Sequence, residues 1–306
     1  MNHLSVVIPV QNESTLVNEL LSRVRLNVEK ITNDFKIIIV DDGSIDDTWI
    51  LIKEFVKSDN RVMGIRLSRN FGQHFAITAG IHTTDSEWVV VMDGDLQDRP
   101  EVIPELYNKA MEGFEIVFVS RQNRPEHLPY RILQRVFYWL LRRLSGINFD
   151  SRQANFSIIS QKVVNAFKTF PESARFYYST VKWLGFRSSS ISADHGIRHS
   201  GSSSYSLRKR VKLASDIIVS FSDRPLKFAI YAGAVLSALA IFAALFIFVG
   251  VYFWGYSQAG WASLIVGIAF LNGSVLFVLG VIGEYVGRIF HEVKSRPLFI
   301  ISEKTF

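Results

Sequence analysis

The 306-residue chain contains no cysteine. That absence excludes a disulfide scaffold, zinc–thiolate and iron–sulfur ligation, and a cysteine nucleophile. No GxGxxG follows the first apolar run and no GxxxxGKS/T occurs anywhere, so a Rossmann dinucleotide site and a P-loop are both unsupported. No basic segment precedes the N-terminal apolar run MNHLSVVIPV, which has the length of a strand and reads as one rather than as a signal peptide. Charge is missing from two long stretches: Phe228–Phe253, 26 residues, and Ala262–Gly283, another 22. About 20 apolar residues, each rising ~1.5 Å, cross a hydrocarbon core of ~30 Å. Both stretches are therefore expected to span a bilayer. The alternative is a buried hairpin in a soluble core, where charge-free helices of this length are rare.

What is present divides the chain in two. Hydrophobic residues make up 48%, charged residues 20% and aromatics 13%, which excludes a disordered or collagen-like polymer. The length suggests two structural parts: a large cytoplasmic domain over 1–225, and a transmembrane hairpin with a short cytoplasmic tail over 226–306. Residues 1–118 carry 11 Lys and Arg against 19 Asp and Glu, whereas residues 119–306 carry 23 against 9. An acidic half suits a metal-dependent site, and a basic half suits anionic lipid or phosphate. A nucleic-acid binder is disfavoured, because the basic residues cluster near the apolar stretches. Arg208, Lys209, Arg210, Lys212, Arg224 and Lys227 precede the first span, and Arg288, Lys294 and Arg296 follow the second. The connection Trp254–Trp261 is uncharged, so the positive-inside rule places both termini in the cytoplasm.

The first 120 residues alternate strand-like and helix-like runs. Leu4–Ile8, Lys36–Val40, Val62–Leu67, Glu87–Met92 and Phe114–Val119 read as strands; Glu13–Lys30, Asp46–Lys57, Gly72–Ile81 and Pro100–Glu112 read as helices. This pattern predicts βαβ units on a mostly parallel sheet with helices on both faces. Such sheets bind ligands beyond the carboxyl ends of their strands. The polar residues there are Pro9-Val10-Gln11-Asn12-Glu13, Asp41-Asp42-Gly43-Ser44 with Asp46 and Thr48, and Asp93-Gly94-Asp95-Leu96-Gln97-Asp98.

Asp93 and Asp95 stand two apart, so in extended chain their carboxylates face one point. Two such anions ~4 Å apart repel by roughly 4 kcal/mol at an effective dielectric near 20. A divalent cation with oxygen ligands offsets that repulsion and bridges to a diphosphate; a solvated acidic loop is the plainer alternative.

PxxNE, DDGSxDxT, LSRNFGQHFAITAG (Leu67–Gly80) and MDGDLQDRPE (Met92–Glu101) resemble the family 2 glycosyltransferases of GT-A fold. The two apolar stretches and GVIGEYVGRIFHEVKSRP (Gly280–Pro297) narrow the resemblance to the polyprenyl-phosphate glycosyltransferases, among them the dolichol-phosphate mannose, bactoprenol glucose and undecaprenyl-phosphate aminoarabinose branches. The resemblance implies a GT-A, Rossmann-like domain with Pro9, Asn12, Glu13, Asp41, Asp42 and Ser44 lining a nucleotide pocket, Asp42 near the base. Asp93 and Asp95, the catalytic pair, would hold Mg²⁺ or Mn²⁺ together with Gln97. For Ser44 and Asp46, capping of the following helix is an equal alternative. Arg69, Asn70 and His74 would touch the donor or order their loop, His74 reading as a scaffold residue.

The basic half reads as the lipid side. Pro129–Leu144 is an amphipathic run carrying Arg131, Arg135, Arg142 and Arg143, and Ser206–Phe221 is a second. Basic helices with an apolar aromatic side lie in the headgroup layer; a solvated basic face over a core helix is the alternative. Arg121, Arg131 and Arg198 match positions where the family places basic side chains near the acceptor phosphate. Two departures stand out: Ser204 where the family's loop has lysine, and Asn155 where it often has aspartate. A polyprenyl phosphate is already anionic at neutral pH and needs little help from a base. The expected activity is inverting transfer of one sugar from a nucleotide-sugar, UDP-glucose by default, to undecaprenyl phosphate at the cytoplasmic face of a bacterial inner membrane. Gly72–His74 resembles the aminoarabinose branch. A processive synthase is disfavoured by the lack of QxxRW and by too few spans, and a catalytically silent membrane scaffold is the reading from another class. Two spans bury little surface, which suggests self-association, to a tetramer as in similar proteins.

Overall fold

A computed structural model describes residues 3–122, 153–170, 176–194, 222, 224–254 and 260–306. Arg131, Arg198, Ser204 and both expected interfacial helices lie outside them. Contacts divide the chain into two units, one holding the sheet and residues 297–306, the other holding two long helices.

β-branched runs make the central strands: β1 Leu4–Val10, β2 Phe35–Asp41, β3 Val62–Leu67 and β4 Trp88–Val91. All seven residues of β1 are buried, as befits a strand covered on both faces. Alternation sends Val6, Ile8, Ile37 and Ile39 to one core and Val7, Ile38, Val40 and Val91 to another. The first core takes α1 (Val17–Val28), α2 (Thr48–Ser58) and α4 (Ile103–Met111); the second takes α3 (Gln73–Thr83), α5 (Gln161–Lys168) and α6 (Tyr177–Trp183).

The remaining strands are β5 Ile116–Gln122, β6 Gln153–Ser160, β7 Ser188–Asp194 and β8 Ile301–Lys304, in the order β7-β5-β6-β4-β1-β2-β3-β8. The expected GT-A-like α/β sheet is present and mostly parallel, with two strands reversed. β6 enters antiparallel between β4 and β5, and β8 is antiparallel to β3. The parallel register Val10↔Asp41 and Val7↔Val91 brings the ends of β1, β2 and β4 to one edge.

β8 was not foreseen as part of the sheet. Gly64 and Thr305 exchange hydrogen bonds, Gly64 N–H to Thr305 Oγ1 at 2.8 Å and Thr305 N–H to Gly64 O at 3.1 Å. Trp49 Nε1–H donates to Glu303 at 2.8 Å, and Ser302 Oγ to Arg66 O at 3.1 Å.

In the other unit, α7 (Arg224–Trp254) and α8 (Trp261–Val293) contain the two charge-free stretches. Among the described residues, one helical stretch, Phe270–Val293, is long and apolar enough to cross a membrane, and none of it is buried. Phe228, Tyr231, Phe242 and Phe246 on α7 are exposed too. Contiguous exposed apolar surface of this kind marks a membrane or partner surface.

Thr305→Val keeps the side chain's shape and removes the acceptor of the Gly64 N–H. It is expected to destabilise the sheet domain by about 1 kcal/mol, read as a lowered thermal midpoint of the full-length protein.

Candidate active site

Three loops meet at the carboxyl edge of the sheet, and a glycine lets them meet closely. A Cβ on Gly94 would stand 2.6 Å from Val10 Cγ1 and 2.8 Å from Pro9 O, so the turn after β4 lies against the end of β1 because residue 94 has no side chain. Leu96 follows with φ +58°, a left-handed conformation that bulky side chains seldom adopt. The turn places Gln97 N–H 3.1 Å from Asp95 Oδ1. Beside it opens a cavity of about 400 Å³ lined by Pro9, Val10, Gln11, Glu13, Asp42, Gln73, Asp93, Gly94 and Asp95.

Side-chain oxygens stitch the loops after β1 and β2 together. Asn12 N–H donates to Ser44 Oγ at 2.9 Å, and Ile45 N–H returns to Asn12 Oδ1 at 3.0 Å. Glu13 N–H reaches Thr48 Oγ1 at 2.9 Å, and Ser14 N–H reaches Asp46 at 3.2 Å. Asp46 also accepts from the Thr48 N–H and hydroxyl. Ser44 is 2% exposed, and its hydroxyl is spent on this seam rather than on capping α2. Asp41 is fully buried, accepts the Ser44 N–H at 2.9 Å and faces Arg66 Nε at 3.3 Å. Burial raises its carboxyl above the ordinary range, against the Ser44 hydroxyl, the Ser44 N–H and Arg66.

The segment between β3 and α3 forms the third side. Phe71 and Gly72 N–H groups each donate to an oxygen of Asp42 at 2.8 Å. Burial raises the Asp42 carboxyl, and these two bonds oppose the shift. Gly43 has φ +69°, and its Cβ would sit 2.4 Å from the Arg69 carbonyl carbon, so only glycine lets this segment lie against the β2 loop. The Arg69 guanidinium stacks on Phe71, 4.1 Å from the ring centre, which orders the loop. Gln73 Nε2 donates to Asp93 Oδ1, and Asn155 Nδ2 lies 3.5 Å from the same oxygen. His74 turns away from the cavity: its Nδ1 accepts the Tyr177 N–H at 3.4 Å, and burial pulls its pKa down to about 4.

The cavity thus brings together Pro9, Glu13, Asp42, Asp93 and Asp95 of the expected site residues. Asn12, Asp41 and Ser44 are not among its lining residues but join the loops beside it, and Gln97 is joined to Asp95 through its backbone. Arg121 sits in β5 opposite Ala193 of β7. Gln73 and Gln11 line the cavity and were not among the expected pocket residues.

Whether these groups suit a divalent cation follows from their chemistry. Among the described residues, four carboxylates and no basic side chain line the cavity, a hard oxygen donor set that attracts a cation and repels a bare diphosphate. Among the described residues no three acidic or histidine side chains gather into a metal cage. Magnesium-type sites are commonly completed by one or two carboxylates with substrate phosphates and water, and the Asp93/Asp95 pair fits that pattern.

Comparison with known proteins matches residues 5–167 to Glycosyl transferase family 2. The chain belongs to that family. Among its relatives, an uncharacterized glycosyltransferase of Synechocystis sp. is 37% identical, over 98% of this chain and 95% of the relative. The bactoprenol glucosyl transferase of Shigella phage SfII is 32% identical, over 98% and 97%. The undecaprenyl-phosphate 4-deoxy-4-formamido-L-arabinose transferase of Proteus mirabilis is 29% identical, over 99% and 94%. Glucosyl-3-phosphoglycerate synthase from Mycobacterium tuberculosis, solved with Mn²⁺, UDP and phosphoglyceric acid, matches 71% of this chain and 76% of its own at a TM-score of 0.52 and 19% identity. That likeness speaks to the fold of this family 2 glycosyltransferase.

His74 gives the fold a pH signature. Its folded pKa is about 4 against an ordinary 6.5, so below 6.5 the unfolded chain takes up the proton first. The stability held above pH 6.5 is expected to drain as pH falls towards 4. In His74→Gln, thermal midpoints measured across that range are expected to fall less steeply.

Proposed function

We propose that this family 2 glycosyltransferase transfers a single sugar from a nucleotide-sugar to a polyprenyl phosphate, in a metal-dependent, inverting displacement at the cytoplasmic face of a bacterial inner membrane. The observation that carries the reading is the carboxylate-lined cavity at the sheet's carboxyl edge, in a chain whose near-full-length relatives are named for bactoprenol and undecaprenyl phosphate. UDP-glucose is the default donor, from the bactoprenol relative; the aminoarabinose relative supports a UDP-linked aminoarabinose-type sugar, and a mannose-type donor is the remaining alternative.

In this reading Pro9, Glu13 and Asp42 border the nucleotide. Asp93 and Asp95, with Gln97, hold Mg²⁺ or Mn²⁺, which when bound neutralises the diphosphate's charge. The acceptor phosphate oxygen forms the new bond to the anomeric carbon as the bond to the diphosphate oxygen breaks, and the nucleoside diphosphate departs with the electron pair. A phosphate anion brings its own nucleophile, which agrees with Asn155, rather than a carboxylate, beside Asp93. Arg121, Arg131 and Arg198 are assigned to the acceptor phosphate, where arginine's planar fork suits a bidentate contact.

Connectivity supports a hairpin anchor. β8 lies in the same sheet as β1, so the chain that departs into α7 and α8 comes back to the side it left. If α8 crosses a membrane, a second crossing is required, and α7 supplies it. The lack of charge in the Trp254–Trp261 connection agrees with a short turn on the far side.

Full-length protein in lipid nanodiscs, given undecaprenyl phosphate, Mn²⁺ and a panel of nucleotide-sugars, is expected to form one lipid-linked monosaccharide. Asp95→Ala or chelator is expected to cut turnover by about 100-fold or more, the scale of losing one preorganised charge-stabilising group. Absence of product with every donor overturns the assignment, and turnover indifferent to both Asp95→Ala and chelator removes the metal from it.

A further inference from the structure

We infer that Gln73 is the positioning residue for Asp93, and that its place is set from the far end of the chain by the C-terminal strand. The inference rests on the donor-site reading above and adds to it a residue and a route. Gln73 opens α3, a helix whose middle is buried through Ala76, Ile77, Ala79 and Ile81. Its own side chain is exposed, lines the cavity and directs its amide at Asp93 Oδ1. Packing does not call for a glutamine there, and the carboxylate does.

A neutral donor suits this carboxylate. An ammonium in the same place would neutralise Asp93 and compete with the cation for it, whereas an amide N–H fixes the carboxylate's orientation and leaves its charge available. Asn155 approaches the same oxygen from β6, at the outer limit of a hydrogen bond. Of these two donors Gln73 makes the closer contact.

Gln73 is held in turn by the segment before it. Gly72 and Phe71 are tied to Asp42. Ser68, where that segment leaves β3, donates its N–H to Ile300 O at 2.9 Å. Arg66, two residues earlier, accepts from Ser302 Oγ and donates to Ser44 O at 3.0 Å. Ile300 and Ser302 arrive only after both long helices, 232 residues beyond Ser68. The loop that presents Gln73 to Asp93 is thus seated at one end on the cavity wall and at the other on β8.

The test titrates full-length protein in detergent with Mn²⁺, in the presence of UDP and separately of GDP, following the free-ion paramagnetic resonance signal. Gln73→Met keeps the side chain's length and removes its amide. It is expected to weaken nucleotide-dependent Mn²⁺ affinity by roughly 10-fold, the lower end of what losing a ligand-orienting hydrogen bond costs, with an unchanged thermal midpoint. Gln73→Ala is expected to do the same. Wild-type affinity in Gln73→Met overturns the inference, as does a loss of affinity matched by a loss of thermal stability, which marks a structural role. If Asp95→Ala abolishes Mn²⁺ binding while Gln73→Met leaves it intact, the donor-site reading stands and this inference alone falls. If the unmodified protein shows no nucleotide-dependent Mn²⁺ binding, both fall.

Discussion

Like-charge repulsion at one edge of a sheet is the constraint around which this protein is arranged. Glu13, Asp42, Asp93 and Asp95 share one cavity, and the fold gathers them there by register, since β1, β2 and β4 end together. The described partners of three of these acids are neutral donors: Phe71 and Gly72 backbone amides on Asp42, the Gln73 carboxamide on Asp93, and the Gln97 backbone amide on Asp95. Arg66 is paired instead with the buried Asp41. These neutral donors orient the carboxylates while leaving their charge to act on a cation.

The same arrangement explains why two glycines stand where they do. Gly94 lets the β4 turn press against β1, and Gly43 lets the Arg69–Asn70 backbone press against the β2 loop. Each removes the side chain that would otherwise hold two walls of the cavity apart, and the hydrogen bonds of Ser44, Asp46 and Thr48 then keep the walls closed.

The central strands were legible because they are buried on both faces and so read as unbroken β-branched runs. Their helices were legible from the polar alternation between them, to within a few residues at each end. β7 (SSSISAD) and β8 (ISEK) escaped notice because edge strands are held by backbone pairing, which leaves little mark on side-chain pattern. Nothing local in QANFSIIS says that β6 inserts between β4 and β5. At the site, the Asp93-Gly94-Asp95 and Asp41-Asp42-Gly43-Ser44 runs announced themselves by charge, but charge did not separate lining residues from supports. Ser44 and Asn12, singled out as pocket residues by their place beyond the strands, also bind each other's loops. Gln73 carries no pattern of its own; its one signal is its place within LSRNFGQH, directly after a strand that ends at the same edge.

The return of β8 to β3 also orders events during synthesis. The edge of β3 emerges from the ribosome 237 residues before Lys304, an interval on the order of 10 s or more at about 5–20 residues per second. For that time an unpaired strand edge is open to wrong partners. Its proper neighbour exists only once both long helices have been made, so a nascent chain halted before that point lacks the strand that closes its sheet. Completion of the sheet is in this way made contingent on completion of the two long helices.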